Sequence, residues 1–432
     1  MEIADGRLAS AVWLAAITLC LEPTVRGAEP GLTIEDAVRS SLRHPRMRAA
    51  EENVRQARAE AQSARLLPNP TLSIEGGLLP LSRSFSPEKP AGPSELSGSL
   101  SFPIDWLIFG KRSAAIDAGE AGVQAALDEY AEAVRQRSLE TVIACYDLLE
   151  WRTLAQTAQE TVDDLLLIER AVQAAAESGG RSQLDVARVR LAVLAAQREA
   201  RAAEAEKEAA AQRLSSLLEP GTAAAASTLV GSLDDPLPAS DFSVEETYRS
   251  AAQSRPDIQA LRHKSARARA IEASEDRNAW PEASVGLNVT HQFQEPIGAP
   301  DATAFGVAFE MALPFFDRNQ GNRARARSAA AQADFELTAA LNELRTEVQI
   351  AAQTLAAAEH NARLISDQEL SLAAQIRTIL QTARDSGGRP MIELLDAHQS
   401  YRESYRAYVS SRADYWRARA RFQATIGKKV IP

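Results

Sequence analysis

The chain has 432 residues, of which only 5% are aromatic and 25% are charged, and it is rich in alanine. This composition is typical of long helices with narrow apolar seams rather than of several ordinary globular domains. The net charge of −10 leaves no basic excess, which speaks against binding to nucleic acid.

The first 27 residues have the layout of a secretory signal peptide. An apolar run at residues 8–21 follows Arg7, and a suitable cleavage point precedes Ala28. The run is short for a membrane-spanning helix, which needs about 20 apolar residues. Cys20 lies near its end; we expect an ordinary apolar residue of the signal there rather than a lipidation site, because the residue before it is large. We therefore predict that residues 1–27 are removed on export.

The rest of the chain consists of two similar halves. Residues 45–112 align without a gap on residues 256–323, at an offset of 211. The matching positions include Pro45 and Pro256, Pro70 and Pro281, Pro103 and Pro314, Gly110 and Gly321, and Arg112 and Arg323. A repeat this long is a duplicated half-protein, not a short solenoid unit. We place the first repeat at 28–219, a linker or equatorial segment at 220–241, and the second repeat at 242–432.

Each repeat is predicted to begin with a helix, the first at 40–67, followed by a β-hairpin at about 70–109 or about 282–316. In the first hairpin the alternating apolar positions are Leu72, Ile74 and Leu78, then Leu100, Phe102, Ile104 and Trp106. In the second they are Val285, Leu287, Val289, His291 and Phe293, then Phe305, Val307, Phe309, Met311, Leu313 and Phe315. The residues between them are small or polar.

Two structures explain this alternation. A soluble sheet would turn its apolar face to a core, whereas a membrane barrel would turn it to lipid. Four strands cannot close a barrel, since known single-chain barrels begin at eight. If the strands face lipid, several copies of the chain must therefore pool them, and three copies would supply twelve strands.

A long helix follows each hairpin. Residues 113–177 contain no proline, which predicts a helix on the order of 100 Å long, and its counterpart runs from about 322 to 385. The seam of the second helix alternates steps of four and three: Leu337, Leu341, Leu344, Val348, Ala351, Leu355, Ala358, Ala362 and Ile365, then Leu372, Ile376, Ile379 and Ala383. Glu369 is the one misfit. This heptad spacing is typical of coiled coils.

The long helices end at similar glycine pairs, Gly179-Gly180 and Gly387-Gly388. Double glycine allows the tight turns that reverse a chain. Return helices are expected at 183–218 and 391–426. Each repeat thus contains an antiparallel helical hairpin with its tip at the glycines. A free-standing coiled-coil rod would explain the helices but not the β-hairpins.

In this layout the chain resembles the TolC-like outer-membrane efflux factors. The resemblance covers about residues 32–427 and rests on the tandem repeat, on the strand exits at 103–111 and 314–321, and on the hairpin tip at 388–397. The segment 315–321, Phe-Phe-Asp-Arg-Asn-Gln-Gly, is most similar to the cobalt–zinc–cadmium branch. The resemblance implies a homotrimer with a twelve-stranded outer-membrane barrel and a long α-helical periplasmic tunnel. It also implies two partners, a periplasmic adaptor protein and an inner-membrane pump, expected to be proton-driven.

The candidate gate lies at the second tip. Glu393 and Asp396 are spaced i, i+3, so they share a helix face, and a trimer would stack them as two rings of carboxylates. They match the family's periplasmic constriction, with glutamate replacing the more usual aspartate at the first position. Arg389 and Asp185 match positions that tie neighbouring hairpins together. Solvated surface charges near a turn are the alternative, and it stays open. The glycine pairs mark the expected docking site for adaptor or pump.

The sequence shows no catalytic constellation, so we expect no enzyme, no cofactor and no resident metal. Its five histidines are scattered without ligand spacing. We therefore expect a passive outer-membrane exit duct for heavy-metal cations, extending into the periplasm of a Gram-negative-type bacterium. A drug-efflux or type I protein-secretion duct of the same fold is the nearest alternative. A soluble periplasmic coiled-coil adaptor or scaffold is the alternative from another class.

Overall fold

A computed structural model describes residues 31–79, 81, 86–88, 93–238, 242–385 and 391–429. The chain divides into two units, Met1–Gly31 and Leu32–Pro432, and the second is described below. The predicted signal peptide lies outside the described residues. So do the second glycine pair, Gly387 and Gly388, and Arg389.

The second unit is mainly helical with one small antiparallel sheet, as predicted. Its first repeat contains α1 (Ile34–Ser41), α2 (Pro45–Arg65), β1 (Thr71–Gly77), β2 (Ser94–Pro103), α3 (Asp105–Ile108), α4 (Lys111–Glu177) and α5 (Gln183–Leu217). Its second repeat contains α6 (Val244–Ser254), α7 (Pro256–Asn278), β3 (Ala283–Phe293), β4 (Ala302–Met311), α8 (Gln320–Leu364), α9 (Leu370–Asp385) and α10 (Met391–Thr425). Short 3-10 helices lie at Ala223–Thr228 and Glu295–Ile297, and a π-helical turn at Ile365–Glu369 joins α8 to α9.

The helix boundaries follow from local sequence. α2 and α7 both start at the repeat-related prolines Pro45 and Pro256, whose fixed φ suits the first helical position. The prediction of a single helix at 40–67 is therefore wrong. α1 ends at Ser41, and α2 begins at Pro45. α4 begins after Gly110, which takes the left-handed φ of 67°, and continues for 67 residues because neither proline nor a further turn signal interrupts it.

The four strands of the described part of the chain form one sheet in the order β1-β2-β3-β4, with every neighbouring pair antiparallel. The pairing of β2 with β3 joins the two repeats, with Phe102 opposite Val285 and Leu100 opposite Leu287. β1 and β4 are consequently the two edges of the sheet.

Five predicted strand positions lie outside the strands. Ile104 directly follows β2 and precedes α3, and its amide donates to the Ala283 carbonyl. Leu78 ends β1 because its φ is 54°, in the left-handed region. Trp106 belongs to α3, since Pro103 cannot donate a ladder hydrogen bond and the indole Nε1 donates to the Pro103 carbonyl instead. Leu313 and Phe315 follow β4, whose last partner in β3 is Ala283 opposite Met311.

α4 is the central helix, and it anchors the ends of both return helices. Arg137 donates to the carbonyl of Leu217 at the end of α5, and Arg135 donates to the carbonyl of Ala424 at the end of α10. Both arginines therefore satisfy carbonyls that the helix leaves unpaired at its C-terminus. Around the middle of α4 lies the main apolar core, which includes fully buried Cys145.

The segment predicted as a linker packs onto this core. Leu229 and Leu233 are buried there. Arg412 and the indole of Trp416 donate to the Leu233 carbonyl, and Tyr415 donates to the Pro238 carbonyl. The segment is thus a strap across the helices as well as a connection between the repeats.

The heptad seam of the second long helix is correct only up to the π-helical turn. Leu344, Val348 and Leu355 are buried as predicted. Beyond the turn, among the residues of α9 whose burial the structure describes, Ala373 is buried, whereas Leu372 is 59% exposed. A π-helical turn inserts one residue into the helical repeat, so it displaces the seam by one position. The misfit at Glu369 lies within this turn.

Candidate functional site

The sheet has one apolar and one polar face, because directly paired residues in antiparallel strands point to the same side. The apolar face consists of the rows Leu72-Leu100-Leu287-Val307, Ile74-Gly98-Val289-Phe305 and Phe102-Val285-Phe309. The polar face consists of the rows Thr71-Ser101-Gly286-Ala308, Ser73-Ser99-Asn288-Gly306 and Glu75-Ser97-Thr290-Ala304. The alternation predicted from the sequence therefore continues across all four strands.

The apolar face is exposed, although it carries the largest apolar side chains of the sheet. Leu72 is 67% exposed, Phe305 is 86% exposed and Val307 is 70% exposed. On the central strand β3 the polar residues Asn288 and Thr290 are only partly exposed, while the apolar residues between and beside them are exposed. This distribution is the reverse of that in a soluble sheet, which buries its large apolar side chains.

All charged residues of the polar face are acidic. Glu75, Glu95 and Glu310 lie on it, and none of the four described strands contains lysine or arginine. Glu95 lies opposite Gly77 at the far end of the sheet, and Glu310 lies opposite Ser284 at the end nearest the helices. These glutamates were not predicted as site residues, although their positions between the alternating apolar residues identify them.

The first helical tip has the predicted reversal. Gly179 takes a φ of 78°, and the amide of Gly180 donates back to the Ala175 carbonyl. Ser182 caps α5: its hydroxyl accepts from the amide of Asp185 and donates to the Asp185 carboxylate at 2.9 Å. Asp185 thus has a structural role within its own turn, beside the role that the family resemblance implies.

Glu393 and Asp396 lie in the first turns of α10. Glu393 is partly buried and Asp396 is exposed. Between them, Leu395 packs against the apolar cluster of the α4–α5 hairpin, which includes Val162 and Val193. The first turns of α10 are therefore held beside the first hairpin, whereas Arg389 lies outside the described residues.

A groove between α10 and the first hairpin was not predicted from the sequence. Tyr401, Tyr405 and Tyr408 line up along α10 with ring centroids 6.2 and 6.1 Å apart. Arg406 lies 3.3 Å from Glu199 of α5, and both side chains line the groove. Burial, together with the bond to Asp234, raises the pKa of Tyr408 to about 12. The i, i+4, i+7 spacing of the tyrosines was the available signal.

The histidines do not form a site together. His263 contacts Asp128 at 2.5 Å between α7 and α4, and His291 lies on the sheet beside Thr303. Among the residues that the structure describes, no group of three or more histidine, cysteine or acidic side chains has the geometry to hold a metal ion. Within the same residues no helix is both long and apolar enough to cross a membrane.

Residues 38–219, which make up most of the first repeat, match the family model described as "Outer membrane efflux protein". This match covers somewhat less than half of the chain. A search of curated protein sequences gave no match.

Solved structures match nearly the whole chain. A membrane protein from Pseudomonas aeruginosa superposes with a TM-score of 0.75 at 16% identity, covering 95% of this chain and 99% of that one. The outer membrane protein VceC from Vibrio cholerae gives 0.71 at 17% identity over 92% and 97%. The outer membrane channel CmeC from Campylobacter jejuni gives 0.72 at 17% identity over 91% and 85%. The chain therefore has the fold of these three membrane proteins.

Proposed function

We propose that the chain is the outer-membrane duct of a tripartite efflux system and that its strands face lipid. The observation that carries this proposal is the exposed apolar face of the sheet: large apolar side chains are exposed on it across all four strands, and the polar residues of the central strands β2 and β3 are only partly exposed. Such a face is stable in hydrocarbon and unfavourable in water. The match of residues 38–219 to the efflux family supports the same conclusion.

A membrane setting requires several copies of the chain, because β1 and β4 are unpaired sheet edges and lipid cannot satisfy their backbone groups. The repeat indicates how copies would join. Since β2 of the first repeat pairs with β3 of the second, β4 would pair with β1 of the next copy in the equivalent way. Three copies would close a twelve-stranded barrel with the polar face inward.

A lumen lined in this way favours cations. Glu75, Glu95 and Glu310 would contribute nine carboxylates in a trimer, without a basic residue from the described strands. Rings of carboxylates attract cations and repel anions. This charge and the similarity of residues 315–321 to the heavy-metal branch support heavy-metal cations as the substrate. Transport through the duct is passive, with energy supplied by an inner-membrane pump through a periplasmic adaptor.

Selectivity tests this part of the proposal. In planar bilayers with a salt gradient, the wild-type reversal potential should have the sign of a cation-selective pore, and the triple variant Glu75→Gln, Glu95→Gln, Glu310→Gln should shift it towards zero. An unchanged reversal potential in the triple variant would show that these glutamates do not set the ion selectivity of the pore. A pump gene for drugs or a secretion exporter beside this gene would favour the alternative ducts.

The tip carboxylates are a separate element of the proposal. If Glu393 and Asp396 form the constriction, Glu393→Gln with Asp396→Asn should change the single-channel conductance or its block by divalent cations. Glu403→Gln on the same helix is a matched control, because it removes one carboxylate several turns away from the tip. Identical traces for the tip variant and the wild type would leave these residues as solvated surface charges.

Cell fractionation separates the duct from a soluble adaptor. The proposal expects the protein in the outer-membrane fraction and a trimer after extraction in mild detergent. Recovery of a monomer from the soluble periplasm would favour the adaptor or scaffold.

A further inference from the structure

The contact between the two repeats has an uncovered counterpart on the outside of the chain. α4 of the first repeat packs along α7 of the second, where His263 contacts Asp128 and Lys264 contacts Glu129, each at 2.5 Å. We call this contact the inner boundary. At the repeat offset of 211 the equivalents of α4 and α7 are α8 and α2. A second copy of the chain would bring its α2 against α8 of the first, and we call that contact the outer boundary.

The offset of 211 applies to the long helices beyond the aligned residues. Thr141 and Ala144 are buried in α4, and their counterparts Ala352 and Leu355 are buried in α8. Each α8 residue at this level can therefore be assigned to an α4 residue.

The faces that would form the outer boundary are bare. At the inner boundary Ala125 of α4 and Ala260 of α7, each one helical turn from the ion pairs, are buried. Their counterparts, Glu336 of α8 and Ala49 of α2, are exposed. Because the repeats of one chain already show how two such faces meet, a second copy is the occupant that fits them.

One level of the inner boundary has an acid on α7 and a base on α4, Asp257 and Arg135. Burial raises the pKa of Asp257, hydrogen bonds from Arg255 bring it below its usual value, and the charge of Arg135 lowers it further. Arg135 also pairs with Glu132 of α4 at 2.6 Å. Arg135 is thus flanked by a carboxylate of each helix.

At the outer boundary the signs are exchanged. The counterpart of Asp257 on α2 is Arg46. On α8, Thr346 replaces the arginine of the inner boundary, and the glutamate one turn before it is retained as Glu343. The base is therefore on α2 and the acid on α8. In the register of the inner boundary, Arg46 faces α8 at the level of Thr346, one turn from Glu343.

Both charges are available for a contact between copies. Arg46 and Glu343 are exposed, and among the described residues neither has an ion-pair partner. Arg345 and Glu347, which flank Thr346, are already paired with residues of their own chain. Glu343 is consequently the carboxylate with which α8 can answer Arg46.

The surroundings of Arg46 are positive. Burial lowers the pKa of His44 at the start of α2, and the charges of Arg137 and Arg46 lower it further. The buried guanidinium of Arg137 lies 3.7 Å from Glu140, and its Nε has no hydrogen-bond partner in the described part of the chain. A carboxylate supplied by a neighbouring copy would be attracted to this region.

We infer that Arg46 of one copy forms an ion pair with Glu343 of the next, and that this pair specifies α8 of a second copy as the partner of α2. The two mismatched contacts are repulsive: α2 against α4 would place Arg46 opposite Arg135, and α7 against α8 would place Asp257 near Glu343. The exchange of signs thus keeps the contact within a chain distinct from the contact between copies. This inference rests on the proposed duct and adds to it the residues that select the partner face.

Charge reversal at these exposed positions tests the pair. The variants are Arg46→Glu, Glu343→Arg and the two combined. Arg58→Glu is the matched control: it is the same change at an exposed position of α2, and the counterpart of Arg58, Arg269, pairs with Asp334 of its own repeat instead of with α4. The measurement is the half-life of the purified trimer in mild detergent, followed by native electrophoresis at low ionic strength, where surface charges are least screened. Circular dichroism checks that the helices of each variant are intact.

Each single reversal places like charges at all three outer boundaries of a trimer. Since one exposed ion pair changes an equilibrium a few-fold, the half-life of the trimer should fall about tenfold. The double variant restores opposite charges and should recover the wild-type half-life, and Arg58→Glu should not change it.

Single variants that dissociate like the wild type would overturn the pair and leave the duct intact. A double variant that dissociates as fast as the single variants would do the same. A wild-type protein that is monomeric in mild detergent would contradict the proposed assembly itself, and the inference with it.

Discussion

The pairing between copies can be predicted at the level of single residues. Within the chain, Phe102 of β2 lies opposite Val285 of β3. Moving each partner by the repeat offset of 211 places Leu313 of one copy opposite Ile74 of the next. We therefore expect Ile74→Cys with Leu313→Cys, in a Cys20→Ser background, to form disulfides between copies.

The distances make this test selective. Directly paired residues in antiparallel strands have Cα atoms about 4.5–5.5 Å apart, within the range of a disulfide. Within one chain, β1 and β4 are separated by three strand spacings of about 4.8 Å, or about 14 Å, which a disulfide cannot span. Ile74→Cys with Met311→Cys is the control: a displacement of two residues places its Cα atoms about 8 Å apart.

The assay is non-reducing electrophoresis of the oxidised protein from membranes. The expected product of the first pair is a covalent trimer that reverts to monomer on reduction, with little cross-linking of the control pair. Equal cross-linking of both pairs would refute the predicted register. A series of cross-linked species that extends beyond a trimer would refute closure of the barrel at three copies. Absence of cross-linking in folded protein would refute the pairing of β4 with β1 of the next copy.

Three predictions concern the helical part. Burial raises the pKa of the Cys145 thiol to about 12, so a maleimide at neutral pH should label it only after unfolding; rapid labelling of the native protein would mean that the core around α4 opens. Arg417→Met should lower the free energy of unfolding by about 3–5 kcal/mol in chemical denaturation, because it leaves the buried Glu150 carboxylate without its partner at 2.6 Å. Adding Glu150→Gln to this variant should recover part of the loss. If Arg417→Met alone is as stable as wild type, the ion pair does not stabilise the core. Burial raises the pKa of Asp257, but the hydrogen bonds from Arg255 outweigh this effect and hold the pKa below its usual value. The stability that Asp257 contributes is therefore fully present above its unfolded pKa of about 4. It is lost as the pH falls through the folded pKa. The stability difference between wild type and Asp257→Asn should therefore shrink below about pH 4 in acid titrations, and a difference that grows there would be inconsistent with this assignment.

Much of the fold could be predicted because the sequence pattern of each element occurs twice, once in each repeat. The offset of 211 relates the two β-hairpins and the two long helices, and the alternation at 285–293 predicts a strand with one apolar face. The helix predicted at 40–67 was wrong at Pro45, where α2 begins. The proline-free stretch before Gly179 predicts α4 almost to the residue, since its end depends on a local glycine signal. These features depend on neighbouring residues alone.

The features that were predicted wrongly are determined by contacts with residues far away in the sequence, which a local pattern does not show. β4 stops at Met311 because its ladder partner β3 begins at Ala283, although the alternation continues to Phe315. The seam after the π-helical turn shifts by one residue to Ala373, and a heptad count shows that insertion only as the misfit at Glu369. The packing of the segment 220–241 at Leu233 has no local signal either, because the residues that hold it, Arg412 and Trp416, lie about 180 residues further along the chain.

The candidate site also has a part that the sequence pattern specifies and a part that it leaves untested. The polar face with Glu75, Glu95 and Glu310 follows directly from strand parity once the register is known. The gate residues at the second tip remain a prediction. Asp185 is held by Ser182 in its own turn, and Arg389 lies outside the described residues.

The most direct test of the central claim is the current that the purified wild-type protein carries across a planar phospholipid bilayer. A transmembrane duct predicts discrete, stable conductance steps that pass cations in preference to anions. A folded protein that leaves the bilayer electrically silent, and that remains in the aqueous phase when mixed with vesicles, would contradict the account.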